Sequence, residues 1–246
     1  MLLLLLACRS TPAEASKSCE LGEAWSAWAP GLELRSLQGM VVVRADPTQW
    51  TLELHGPKSQ TAREHAAEQS LSLATNAGMF HTDHRTHVGS LVVSGEDKGR
   101  PAPSYQSLAE LQPSFRLVDL DEASEASTAT HAVQNLRLIK KPGENRWSQQ
   151  DKRWSEMLLA EDAQGRALFV FSRAPHTMHD LNELLLASDL GVVAAQHLEG
   201  GPEAQLFLSV GGCELEAVGS YETGFLESEA NQVAWPVPNV LGLRPR

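Results

Sequence analysis

One short stretch of the sequence combines an acid with an unusually free backbone: Glu199, Gly200, Gly201 and Pro202 follow one another between two apolar runs. The apolar runs predict buried strands, so the acid is expected at a strand end, on a rigid support. A glycine has no Cβ atom, which lets the backbone take positive φ and lets a ligand approach it closely. The pattern suits a site in which a carboxyl group transfers a proton. It is equally typical of a tight turn with a solvated glutamate, and the sequence alone leaves both interpretations open.

A second polar break follows the predicted strand 71–75, where Asn76, Gly78 and Phe80 occur within five residues. An asparagine side chain both donates and accepts hydrogen bonds, Gly78 permits close approach of a ligand, and Phe80 offers a flat face for a sugar ring. We therefore consider these residues candidates for substrate binding. A turn capped by Asn76 is the alternative.

Charged side chains lie in the first strand of a predicted β-hairpin, whose strands are 153–160 and 166–172. This first strand carries Arg153 and Glu156. A guanidinium group binds anions and a carboxyl group transfers protons, so both residues are candidates for a functional site.

Two other segments supply candidates for binding an anion. Arg137 lies in the predicted strand 133–139 and is a candidate phosphate ligand, with an ordinary surface arginine as the alternative. His176 and His179 precede or begin the predicted amphipathic helix 180–187, and the unpaired N–H groups at a helix start favour an anion.

Four possible metal ligands fall close together in the sequence, namely His81, Asp83, His84 and His87. Histidine and carboxylate side chains at such spacing are typical of metal sites. Loop histidines more often serve only as hydrogen-bonding groups, so we predict no metal site and no cofactor. A divalent cation stays open as the alternative.

The acidic-Gly-Gly segment at Glu199 and the Asn-Ala-Gly motif at Asn76 resemble motifs of the phosphodiester glycosidase family. Its members are bacterial relatives of N-acetylglucosamine-1-phosphodiester alpha-N-acetylglucosaminidase, the enzyme that removes a capping N-acetylglucosamine from mannose 6-phosphate. The usual acid of the family is aspartate, and a lipoprotein-like branch carries glutamate as this chain does. Further segments are similar at 88–93, 133–139, 219–224 and 235–242, so the resemblance extends over residues 30–243.

The resemblance implies a hydrolase that cleaves a sugar 1-phosphodiester in envelope glycopolymers or related glycoconjugates. It implies that Glu199 is the acid/base or water-positioning group. Glu156 is the candidate partner carboxyl, since glycoside cleavage commonly uses two such groups. The residues expected to hold the sugar and the phosphate are Asn76, Gly78, Phe80, Arg137, Arg153, His176, His179, Gly200 and Gly201.

The chain departs from the family at Glu156, where the common pattern has an arginine. The arginine that usually contacts the phosphate is therefore missing from its expected position. Arg153 replaces it only if the backbone directs the Arg153 side chain to the same place. The alternative function is a non-catalytic, glycan-binding envelope lipoprotein that retains the fold. No nucleotide-binding glycine loop, Gly-x-Ser-x-Gly elbow or His-Glu-x-x-His motif supports another enzyme class.

The composition is that of one folded domain with a single core, because the chain has 246 residues of which 42% are hydrophobic. The strand and helix patterns predict an α+β fold with a mixed, largely antiparallel β-sheet core and a few flanking helices. The net charge of −11 argues against nucleic acid or an anionic membrane surface as partner. The expected partner is a sugar-phosphate or glycan substrate.

The N-terminus resembles a bacterial lipoprotein signal in which Cys8 receives the lipid. Residues 1–8 are predicted to be the remnant of that signal, residues 9–29 a polar tether, and residues 30–246 the folded domain. The apolar run is short for a signal peptide, so we expect the natural start to lie upstream. A lipid anchor would be the protein's contact with the membrane and would place it in the cell envelope, on its periplasmic or extracellular face. An untargeted apolar N-terminus is the alternative.

Two cysteines are left if Cys8 carries a lipid. In an oxidising compartment, Cys19 and Cys213 are then expected to form a disulfide between the N-terminal segment and a late strand. Two unrelated thiols are the alternative, and neither cysteine has the spacing of a zinc ligand.

Overall fold

The predicted hairpin forms the centre of the largest sheet in the computed structural model, which describes residues 19–246. Strands are numbered along the chain. In spatial order the eight strands of this sheet are β1 (Ser26–Ala29), β2 (Leu32–Leu37), β3 (Met40–Ala45), β14 (Ala167–His176), β13 (Trp154–Asp162), β15 (Val192–Gly200), β11 (Arg137–Lys140) and β12 (Glu144–Asn145).

Two five-stranded sheets pack beside the large one. The spatial order of the first is β7 (Glu96–Asp97), β6 (Leu91–Val93), β10 (His131–Asn135), β8 (Ser107–Gln112) and β9 (Arg116–Asp119). The order of the second is β17 (Cys213–Val218), β16 (Gln205–Val210), β5 (Leu73–Asn76), β18 (Val240–Pro245) and β4 (Trp50–His55).

All of the strand pairs described are antiparallel, and two α-helices accompany them, α1 (Ala62–Gln69) and α2 (Met178–Ala187). The expected antiparallel core with a few flanking helices is confirmed in outline, and the fold is mainly β. Within residues 19–246 no parallel pair occurs, so the sheet is not mixed there.

The central strand β13 is buried on both faces, which explains its nearly continuous apolar sequence. Met157 and Leu159 point into the core shared by the three sheets. Leu158 and Ala160 point to the opposite face, where they pack in a second cluster under α2. This double burial fixes the register of β13 and gives the residues at its start a rigid support.

Both helices begin where the sequence places polar caps. Thr61 and Glu64, which have the Thr-x-x-Glu spacing of a capping box, form one at the start of α1, with reciprocal side-chain to backbone hydrogen bonds. Thr177 caps α2, which therefore begins two residues before the predicted start. Leu181 and Leu185 face inward from α2, as the helical spacing predicts.

The N-terminal part of the described chain belongs to the folded domain. Cys19 and Cys213 form the predicted disulfide, with their Cα atoms 5.4 Å apart. Strand β1 pairs with β2 although its residues fall within the predicted tether, because Trp28 is buried in the main core. The domain therefore begins before residue 30.

The predicted lipidation site, Cys8, and the start of the predicted tether lie outside the described residues. In residues 19–246, neither helix has the length and apolar character needed to cross a membrane.

Candidate active site

A cavity of about 280 Å³ lies where β13 begins and β15 ends, beside the loop that follows β17. Two walls are charged or polar and one is aromatic. The lining residues include Met79, Trp147, Lys152, Trp154, His197, Glu199, Glu222 and Thr223. We refer to this cavity as the glutamate pocket.

A larger cleft of about 510 Å³ lies elsewhere, beside Lys98 and Arg100. No glutamate is among its described lining residues, whereas the glutamate pocket contains carboxyl groups whose pKa values are strongly raised. Perturbed carboxyl groups in a cavity are a better indicator of a functional site than cavity size. We therefore take the glutamate pocket as the candidate site.

A β-bulge shapes the end of β15 at the pocket. Met157 lies opposite Glu199, but Leu158 lies opposite His197, so Leu198 is an extra residue in β15. A bulge bends its strand and redirects the neighbouring side chains, and bulges are frequent next to active sites. His197 and Glu199 both reach the pocket from this bulged segment.

Glu199 is held in its protonated form near neutral pH. Burial raises the pKa of Glu199 to about 8, the opposing effect of His197 being too weak to cancel it, and the nearby charge of Glu203 raises it further. One hydrogen bond supports the carboxyl group, from the Gly200 backbone N–H to Oε1 at 3.3 Å. A carboxyl group with such a pKa is suited to donate a proton at physiological pH.

Two more glutamates surround Glu199. Burial raises the pKa of Glu203 to about 7, and the charge of Glu222 adds to the effect. Burial also raises the pKa of Glu222, although the charges of His197 and Lys152 oppose it. The nearby carboxyl groups thus favour neutral forms, and the pocket carries less negative charge than its two lining acids, Glu199 and Glu222, imply.

Glu156 lies beneath the pocket rather than in its wall. Its side chain is fully buried, and both carboxylate oxygens have partners: Oε1 lies 2.7 Å from Nδ1 of His197, and Oε2 accepts a 2.6 Å hydrogen bond from Trp154 Nε1. The sequence suggests Glu156 as a partner carboxyl that reaches substrate. The structure instead makes it a support for His197 and Trp154, because β13 points this side chain into the protein.

The two glycines after Glu199 leave room for side chains of this protein. A Cβ atom on Gly200 would collide with the Trp154 indole ring. A Cβ atom on Gly201, where φ is +61°, would lie 2.5 Å from Oε2 of Glu222. Gly200 lines the pocket, and a 3₁₀ turn over Gly201–Glu203 follows it. The sequence assigns the glycines to ligand approach, and the structure shows their packing role.

The Asn-Ala-Gly motif lies at the junction of two sheets next to the pocket. Asn76 is 1% exposed, and its Oδ1 accepts a 3.0 Å hydrogen bond from the Gln205 backbone N–H. Gly78 lies so close to Asn135 that a side chain would not fit there. Neither residue lines the glutamate pocket, but the motif leads directly to Met79, which does.

Phe80 and the neighbouring histidines form a separate local structure. The ring centroid of Phe80 lies 5.5 Å from that of His84. His87 is buried, with Nε2 3.0 Å from the Gln134 carbonyl oxygen. Among residues 19–246, no three His, Cys, Asp or Glu side chains are arranged to hold a metal ion, and His81, Asp83, His84 and His87 form no such group.

The cations predicted to bind phosphate are placed away from the pocket. Arg137 is engaged by Asp119 at 3.2 Å and by Asp121 at 2.6 Å. Arg153 is exposed, and its backbone rather than its side chain contacts Thr223. The neighbouring residue, Lys152, is the cation that lines the pocket.

The histidines near α2 also lie outside the pocket lining. His176 pairs with Trp154 across β13 and β14, and burial lowers its pKa. His179 lies in the first turn of α2, with Nδ1 3.4 Å from Asp180. Of the predicted site residues, only Glu199 and Gly200 are in the described lining of the glutamate pocket.

Several pocket residues were not singled out as site residues by the sequence. His197 lies two positions before Glu199 in the same predicted strand, and Lys152 directly precedes Arg153. Both residues are polar and adjoin predicted strand ends, and this position is the sequence signal that identifies them. Glu222 carries no local pattern that distinguishes it, because a loop distant in sequence brings it to the pocket.

Comparison with known proteins gives a family and a fold. A family model described as phosphodiester glycosidase matches residues 69–244. A search of curated protein sequences gives no match.

Solved structures resemble the fold over nearly the whole chain. The catalytic domain of zebrafish N-acetylglucosamine-1-phosphodiester alpha-N-acetylglucosaminidase, auto-inhibited by its pro-peptide, is similar with a TM-score of 0.65 and 14% identity, over 92% of this chain and 87% of that one. A hypothetical protein from Synechocystis is similar with a TM-score of 0.64 and 14% identity, over 90% of this chain and 63% of the other. At such identities the likeness shows the fold alone.

Proposed function

Because the chain belongs to the phosphodiester glycosidase family, we propose that it is a hydrolase that cleaves the bond between a sugar and a phosphodiester in envelope glycopolymers or related glycoconjugates. The observation that supports this most is Glu199, a protonated carboxyl group at the wall of a cavity large enough for a sugar. Glycoside cleavage requires such a group to protonate the departing oxygen.

In the proposed reaction, Glu199 gives its proton to the oxygen between the anomeric carbon and the phosphorus as that bond to carbon breaks. Water adds to the anomeric carbon and loses a proton, which restores the acid over one turnover. Glu222 faces the same pocket and is the candidate group for positioning this water. The products are the free sugar and a phosphate monoester.

The aromatic wall supports a sugar as the ligand. The rings of Trp147 and Trp154 meet edge to face with their centroids 6.2 Å apart. Trp154 is held in place by its hydrogen bond to Glu156. Large, fixed indole surfaces bind a ring that is apolar on its faces and polar at its edge. Lys152 adds a positive charge for the phosphate.

A binding function without turnover is the second candidate. The observation in its favour is the burial of Glu156, which removes the expected second carboxyl from contact with substrate. In that case the protein would bind the same glycan through the aromatic wall and release it unchanged.

The proposal includes a location in the cell envelope. The Cys19–Cys213 disulfide is typical of an oxidising compartment, which supports export. A lipid on Cys8 would then be the membrane contact, sugar-phosphate or glycan the partner, and no cofactor is proposed. A Cys8→Ser protein that still partitions with membranes would rule out the lipid anchor.

The decisive experiment follows the release of free N-acetylglucosamine from an N-acetylglucosamine 1-phosphodiester. We expect turnover by the wild-type protein and a loss of at least about a hundredfold in kcat for Glu199→Gln, because a positioned acid contributes at least this much. Glu229→Gln, an exposed glutamate outside the pocket lining, is the matched control. Binding of the diester without sugar release would instead favour the second candidate.

A further inference from the structure

The glutamate pocket poses a problem for an anionic substrate. Two carboxyl groups line it, those of Glu199 and Glu222, and the predicted arginine ligands, Arg137 and Arg153, are absent from its described lining. Lys152 is an exposed cation at the rim. A phosphodiester that enters this pocket therefore needs another positive group close to the acids.

His197 is the residue whose geometry meets this need. It is 4% exposed, and its Nδ1 atom lies 2.7 Å from a carboxylate oxygen of Glu156. The other oxygen of Glu156 accepts a hydrogen bond from Trp154 Nε1, which can only donate. A fully buried carboxylate without a positive partner is very costly, and a protonated imidazole supplies that partner.

The second ring nitrogen of His197 is the one left for a ligand. Its Nε2 atom has no hydrogen-bond partner in the part of the chain that the structure describes, and His197 lines the pocket. An imidazolium held at Nδ1 by a carboxylate presents Nε2–H in a fixed direction.

We propose that Glu156 holds His197 as an imidazolium and that its Nε2–H, together with the Lys152 ammonium, binds the phosphate group of the substrate. This inference rests on the proposed function for the identity of the ligand and assigns the phosphate recognition of that site. Glu156 acts through His197 and is a positioning residue.

The charges around His197 agree with this assignment. Burial lowers the pKa of His197, but the charge and hydrogen bond of Glu156 outweigh it, and Glu199 and Glu222 act in the same direction, so the pKa lies above its ordinary value. Arg137 on the neighbouring strand β11 is neutralised by Asp119 and Asp121.

As the pH rises, the pocket loses the positive charge of His197, and near pH 8 it gains the negative charge of Glu199. We therefore expect the glutamate pocket to bind anions at lower pH and to lose this binding at alkaline pH.

The test measures binding of dimethyl phosphate by NMR titration at about pH 6 and about pH 9. This diester keeps a single negative charge across that range, so a change in its affinity reflects a change in the protonation of the protein. We expect affinity about tenfold or more weaker at the higher pH, and a similar loss at the lower pH for Glu156→Gln, which keeps the size of the side chain but not its charge. Methyl N-acetylglucosaminide, which is uncharged, should bind the wild-type protein equally at the two pH values.

A second measurement uses only the wild-type protein, so it does not depend on whether Glu156→Gln folds. The imidazole resonances of His197 in the wild-type protein should titrate above about pH 6.5. Titration below that value, or dimethyl phosphate binding that ignores both pH and Glu156, overturns the inference. If dimethyl phosphate binding depends on neither pH nor Glu156 but the protein still releases sugar, this inference is wrong and the proposed function stands. If binding depends on pH but no sugar is released, this inference stands and the proposed reaction is wrong.

Discussion

The backbone of Gly201 lies against the carboxyl group of Glu222, so close that a Cβ atom would be 2.5 Å from Oε2. The two residues belong to different parts of the chain, the turn after β15 and the loop after β17. Their contact fixes how the loop closes over the pocket. The second glycine of the motif therefore determines the position of an acid that is 21 residues further along.

Replacement of Gly201 by alanine is expected to displace Glu222. The alanine would need a positive φ of +61° and would collide with the carboxyl group, so we expect a loss of about 2–3 kcal/mol in the free energy of unfolding. Gly212→Ala is the matched control, because Gly212 has φ +80° and open space around a Cβ atom. Its loss should be about 1 kcal/mol, from conformation alone. Equal losses in urea titrations of the two variants would argue against the Glu222 contact.

Glu199 should make the protein less stable as the pH rises. The folded protein keeps a proton on Glu199 up to about pH 8, whereas the unfolded chain loses it near the ordinary pKa of 4.5. Folding therefore binds a proton within this window, and the free energy of unfolding falls from its lower to its upper end. Glu199→Gln removes this contribution, so its stability relative to wild type should increase with pH, by up to about 5 kcal/mol by pH 8.

Urea titrations at several pH values measure this difference. Glu203 contributes in the same direction and is left in the variant, so the remaining slope should be smaller than in the wild type but not zero. A Glu199→Gln protein that is several kcal/mol less stable at every pH would identify Glu199 as a structural turn residue.

The rate of sugar release should fall as the pH rises through about 8. Glu199 loses its proton there and no longer acts as an acid. A pH profile of kcat/KM on a sugar 1-phosphodiester measures this limb, since it reports the free enzyme. A rate that continues to increase above about pH 9 would be incompatible with Glu199 as the proton donor.

The adjacent cations Lys152 and Arg153 should differ in their effect on substrate binding. Lys152 lines the pocket, whereas the Arg153 side chain is exposed outside its described lining. We expect Lys152→Met to raise KM by about tenfold at low ionic strength and less at high salt. Arg153→Met, which removes the same charge one residue away, should leave KM unchanged. Equal effects of the two substitutions would indicate general electrostatic attraction rather than a specific contact.

Reduction of the Cys19–Cys213 disulfide should destabilise the domain. The bond joins residues 194 positions apart, so it restricts the unfolded chain strongly, and we expect a loss of about 2–5 kcal/mol. Urea titration with and without a reductant measures it. Cys19→Ser should behave like the reduced wild-type protein and should no longer respond to the reductant. A response that persists in this variant would mean that another thiol pair is involved.

Much of the fold could be predicted from local patterns. The capping box at Thr61, the apolar hairpin around β13 and the disulfide all depend on residue types or spacings that are visible in the sequence. Glu199 was found in the same way, because an acid followed by two glycines interrupts two apolar runs.

The rest of the site depends on contacts that no local pattern contains. The extra residue at Leu198 changes which side chains face the pocket, and a bulge has no reliable sequence marker. Arg137 was expected to bind phosphate, but Asp121 reaches it from another segment. Glu156 was expected to contact substrate, yet its side chain is fully buried, with its carboxyl group next to His197 on the neighbouring strand β15.

The position of the C-terminal strand has a consequence for biosynthesis. Strand β18 does not lie at an edge but between β5 and β4, and it pairs with both. Its residues follow those of every other described strand in the chain, so the third sheet has a gap at its centre until they have been synthesised. The pocket also draws on segments from Met79 to Thr223, which makes its assembly a late, non-local event. A nascent chain that lacks these later segments therefore lacks the complete pocket, and export in an unfolded form would be compatible with this order of events.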